Sequence, residues 1–155
     1  MTYAALKLIH VLSLLVWVGG MLFVHSFLRP ALRVLPGEQA LVLMHQVLRR
    51  FFMAVAPAAA LVLLSGVWMT GRSAGMAARA GLRFEMPWSW TLMMVLGMLM
   101  VLVFAGVRLG PYRRLAQAVV RRDWAAAAPA LAQVRRWMVF NLALGLIIIV
   151  LVVLA

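Results

Sequence analysis

The sequence predicts an all-α fold, an integral membrane antiparallel four-helix bundle, and three observations carry that prediction. The chain of 155 residues is 67% apolar with a mean hydropathy of +1.07, far more apolar than the surface of a water-soluble domain of that length allows. Four runs, residues 3–28, 51–70, 89–107 and 138–155, approach or exceed the roughly 20 residues needed to cross a hydrocarbon core about 30 Å thick. The connections between them are short, which makes successive spans antiparallel neighbours. Residues 1–155 therefore read as a single four-span domain with no soluble unit.

The first span carries Lys7 and His10, lacks a small-residue cleavage site and runs into Arg29-Pro30, so it reads as a span and not as a signal peptide. The connection that follows turns at Leu35-Pro36-Gly37. From Glu38 onward Leu41, Met44, Val47 and Leu48 recur at helical spacing, so the second helix starts well before its membrane crossing. Pro57 removes one backbone donor within that span. Gly71-Arg72-Ser73-Ala74-Gly75 and Gly81 predict a loop, and Met86-Pro87-Trp88-Ser89-Trp90 opens the third span. Trp68, Trp88 and Trp90 are placed at the outer interface, where an amphipathic ring satisfies both lipid and water. After Gly110-Pro111, residues 112–122 set Leu115, Ala118 and Val119 opposite their arginines. Asp123 is the expected N-cap of the helix that becomes the fourth span.

The net charge of +12 is unevenly placed. Arg29, Arg33, Arg49, Arg50, Arg108, Arg113, Arg114, Arg121, Arg122, Arg135 and Arg136 follow spans one and three, against Glu38 and Asp123. The other side holds Lys7, Arg72, Arg79 and Arg83, with Glu85. By the positive-inside rule the first and third connections are cytoplasmic and both termini periplasmic, in a bacterial-type inner membrane. Charge so distributed serves topology and anionic headgroups, not nucleic acid. The expected partner is the lipid bilayer; a second copy of the chain or another membrane protein is left open.

Several chemistries have no residues to support them. There are no cysteines, hence no disulfide, thiolate site or nucleophilic thiol. The three acidic residues all lie in connections, so no carboxylate pair stands ready for acid–base work. No phosphate-cradling GxxxxGK[ST] motif occurs, and Ser13, Ser65 and Thr70 have no credible triad partners.

What remains is histidine. An ionisable ring inside a span is a functional-site hypothesis by default, and His10 lies about 10 Å along the helix from Tyr3. Trp17 and Met21 share its face, and Gly19-Gly20 admits a close neighbour, either a helix or a flat ligand. No other histidine lies at that depth, so a second ligand comes from Met69, Met93, Met94 or Met98. A thioether suits Cu(I), and His/Met is a known axial pair for haem. The competing reading is a histidine bonded to a neighbouring helix, among methionines that only pack. His25, about 22 Å along the helix from His10, and His45 form a separate second candidate metal site, with Arg29, Arg49 and Arg50 nearby.

These residues resemble the copper resistance protein D (CopD) family and the related HemJ-type membrane proteins. The likeness lies in Leu6-Lys7-Leu8-Ile9-His10, then Trp17-Val18-Gly19-Gly20, then Leu28-Arg29-Pro30-Ala31-Leu32. Arg49-Arg50 with Pro57 and Gly66, and Arg136 with Asn141 and Gly145, extend it. The resemblance implies an inner-membrane helical protein of copper handling or membrane electron transfer, binding copper or haem b. His10 is carried over as principal ligand. Met94, which stands where family members carry a lysine, is its favoured partner, with Trp17 and Gly20 shaping the pocket. The alternatives are an oxidoreductase, a HemJ-like haem-dependent oxidase of protoporphyrinogen or quinol, and a non-catalytic accessory subunit.

Overall fold

The computed structural model describes residues 3–154. Met1, Thr2 and Ala155 lie outside the described residues, and with them the outermost positions of the expected domain and the last residue of its fourth span. Helix α1 is Tyr3–Val34, α2 Gly37–Arg79, α3 Trp88–Leu109, α4 Pro111–Val120 and α5 Trp124–Leu154. No strand occurs among the described residues. Four helical segments, with α3 and α4 forming one of them, are long and apolar enough to cross a membrane. The all-α, four-span expectation is met.

Most helices exceed their expected spans. The 43 residues of α2 would extend about 65 Å at 1.5 Å per residue, twice the hydrocarbon thickness, and α2 begins at Gly37 as the periodicity after Glu38 requires. Its other end corrects the sequence reading. Gly71–Gly75 is helix, not loop, because isolated glycines cost a helix only about 1 kcal/mol each. Thr70 and Ser73 there turn their hydroxyls back onto the Gly66 and Met69 carbonyls. The stop comes at Gly81, whose φ is +70°. Its N–H bonds the Ala78 carbonyl while that of Leu82 reaches Ala77, the pattern of a Schellman cap.

The junction of α4 and α5 repeats this device without glycine. Arg122 takes φ +56°, and the N–H groups of Arg122 and Asp123 return to Val119 and Ala118. Asp123 then accepts from the Ala126 N–H at 3.0 Å, the expected N-cap contact.

Helix α1 is not uniform: residues 15–19 and 24–28 are single π turns. Such turns are rare and concentrate at functional sites. Here they fall around Trp17 and His25.

In lipid, helices associate through close packing more than through the hydrophobic effect, and the contacts reflect this. A Cβ on Gly20 would stand 2.7 Å from the Phe51 ring, and one on Gly145 would stand 2.8 Å from Val18. Trp17 meets the edge of Phe104, Phe104 packs on Phe52, Phe52 on Tyr112, and Tyr112 stacks on His45. These rings tie α1, α2, α3 and α4 together toward the arginine-rich end. Trp68 and Trp88 stand exposed, and Trp90 is half-buried.

Candidate metal centre

His10 faces α2. Its Nδ1 lies 2.9 Å from Ser65 Oγ, and its ring covers Gly66, where an added Cβ would meet Cε1 at 3.6 Å. The buried Ser65 hydroxyl has one proton and three acceptors in reach: the Leu61 carbonyl, the Val62 carbonyl at 3.2 Å and His10 Nδ1. Assigning that proton to the Leu61 carbonyl, the nearest of the three, makes the oxygen accept from His10, with the ring proton on Nδ1 and the lone pair on Nε2. Metal-binding histidines show this arrangement: one nitrogen anchored, the other free. Sequence reasoning missed Ser65. Its depth could have found it: Ser65 sits about 8 Å from the outer end of span two, close to the depth of His10 in span one.

The other expected pocket residues divide. Trp17 is 2% exposed, and its indole N–H has no partner among the described residues. Gly20 receives the Phe51 ring rather than leaving an open slot. Met94 is 41% exposed, whereas its neighbour Met93 packs against the core.

His25 and His45 occupy different surroundings. His45 stacks on Tyr112 at 5.8 Å between ring centroids. His25 lines a cavity of about 20 Å³ together with Val24, Arg29, Met44, Arg135 and Met138. The reason is helical: His45 follows Met44 by one residue, about 100° around α2, so the face that turns Met44 toward His25 turns His45 away. A space of that size takes one water or one ion, and a porphyrin does not fit in it. Among the described residues, no group of three or more His, Asp or Glu could hold a metal ion.

Fold and site define a class: a multi-pass helical membrane protein with an anchored imidazole inside its first span. The family model of copper resistance protein D (CopD) matches residues 45–155, and the chain belongs to that family. The match begins at His45, so Met94, Asn141 and Gly145 fall within it, while His10 and the motif around it precede it. Comparisons with curated proteins and with solved structures give no match.

Proposed function

We propose that this protein handles copper within the membrane, with His10 as a copper ligand in the half of the bundle opposite the arginine-rich pole. The observation that carries the reading is the contact of that ring: His10 Nδ1 lies 2.9 Å from Ser65 Oγ, and with the ring proton assigned to Nδ1 the Nε2 lone pair is left to bind. Membership of a family named for copper resistance supports the choice of metal. Met94 is the proposed second donor. Its thioether and the neutral imidazole are both suited to Cu(I), and neither needs to lose a proton to bind it. Trp17 and Gly20 shape the helix interface behind the site. Copper here is cargo, or a redox partner in membrane electron transfer, and it binds without a carboxylate.

The test is copper content and affinity of the purified protein under reducing conditions, measured by elemental analysis and competition with a Cu(I) chelator. The wild-type chain should hold copper, His10→Ala should lose that equivalent, and Met94→Leu should weaken it. Copper binding that is identical in wild type and His10→Ala would overturn the assignment of His10.

A further inference from the structure

We infer that Arg49, Arg108 and the Tyr112 hydroxyl form a site for the phosphodiester of an anionic phospholipid at the arginine-rich end of the bundle. The inference is independent of the copper reading. Its parts come from three elements, α2, α3 and α4. The Tyr112 ring packs on Phe52 and stacks on His45, 5.8 Å between centroids and 16° from parallel, which fixes the phenol against α2. Arg49 follows His45 by four residues, hence on the same face of α2, and Arg108 lies in the last turn of α3. Arg108 and Arg49 are the two charges that act on the Tyr112 hydroxyl, and Arg49 also acts on the His45 ring.

Two guanidinium groups held around one hydroxyl repel each other unless an anion joins them. Among the described residues no carboxylate does so. Glu38 lines a groove with Arg122, Asp123 accepts from the Ala126 N–H, and Glu85 lies beyond the far end of α2. A phosphate suits this set, because guanidinium grips its oxygens as a fork and a phenol adds one more donor. Position selects a lipid over a soluble anion. Arg49 stands just before the second span and Arg108 just after the third, the level at which basic side chains meet headgroups. Met53, one turn along α2 from Arg49 and inside the span, is exposed, so an acyl chain finds apolar surface directly below the phosphate. Charge selects the headgroup. The ammonium of phosphatidylethanolamine would meet two arginines and no acid, whereas phosphatidylglycerol brings only the charge of its phosphate.

The experiment is native mass spectrometry of the full chain in neutral detergent, titrated with phosphatidylglycerol and phosphatidylethanolamine of matched acyl chains. Phosphatidylglycerol should bind in preference. Arg49→Gln/Arg108→Gln should weaken its first equivalent about 30-fold, from roughly fivefold per arginine at a membrane surface. Arg113→Gln/Arg114→Gln removes the same charge from exposed positions of α4 and should leave that equivalent in place. Tyr112→Phe keeps the ring on Phe52 and His45, so it should fold as wild type and weaken binding about tenfold, as loss of a hydrogen bond to a charged group does. Equal affinity for the two lipids, or an equal loss in the two double variants, would overturn the site. Displacement of the lipid by inorganic phosphate would also overturn it, since the ligand would then be a soluble anion.

Discussion

Inside a bilayer a hydroxyl has few places to send its proton, and the nearest acceptor for Ser65 is the Leu61 carbonyl of its own helix. That local choice sets the tautomer of a ring 55 residues away in sequence. Ser65→Ala should therefore release the ring without opening the bundle. Copper affinity at His10 should fall about 10- to 100-fold, the usual consequence of losing a ligand's supporting partner. Nitrogen-15 spectra of the metal-free protein should show the Nδ1-protonated tautomer in wild type and a mixture in the variant. Gly66 gives a paired prediction. Alanine there makes ordinary contact with His10 and should leave both tautomer and binding intact, whereas Gly66→Leu should push the ring off Ser65 and remove copper binding. His10 itself was legible in the sequence because a titratable ring stands out in an apolar run. Ser65 was not, since a serine in a span is unremarkable until a neighbouring helix places a histidine beside it.

At the scale of elements, the helix ends hold what local sequence could and could not convey. Asp123 was readable as an N-cap because its chemistry is local, and Asp123→Ala should lower stability by about 1 kcal/mol in a detergent thermal melt. The turn before it was not readable: Arg122 adopts φ +56°, a conformation that sequence patterns associate with glycine. Arg122→Gly should raise stability by roughly 0.5–1 kcal/mol in the same melt, since left-handed backbone strains a residue with a Cβ. A decrease would show that the arginine side chain contributes more than its backbone strain costs. The opposite error occurred at Gly71–Gly75, where glycines suggested a loop that α2 runs straight through. Only the third glycine of that stretch, Gly81, has the positive φ that ends a helix. The surroundings of His25 and His45 were not legible for a related reason. Proximity of two connections says nothing about which face of α2 turns inward, and Met44 takes that face.

The whole molecule is organised by its charge. Contacts such as those of His25 with Arg135 around one cavity, and of His45 with Tyr112, gather the ends of α1 and α3, the first half of α2, α4 with the turn after it, and the start of α5 at one pole. Eleven of the fifteen basic residues lie in those segments. That four helices cross a membrane was plain from hydropathy, because length and composition are additive along the chain; their direction depends on a difference between the two poles. The eleven-to-four division predicts that the arginine-rich pole faces the cytoplasm and that both termini face the periplasm. The absence of native cysteine makes the prediction directly measurable with single introduced thiols. Leu82→Cys, in the connection after α2, should react on intact spheroplasts with a membrane-impermeant maleimide. Val34→Cys and Val120→Cys, at exposed positions of the arginine-rich pole, should react only after the membrane is opened. Reversed labelling would invert the molecule, placing His10 near the cytoplasmic face and the arginine-rich pole in the periplasm.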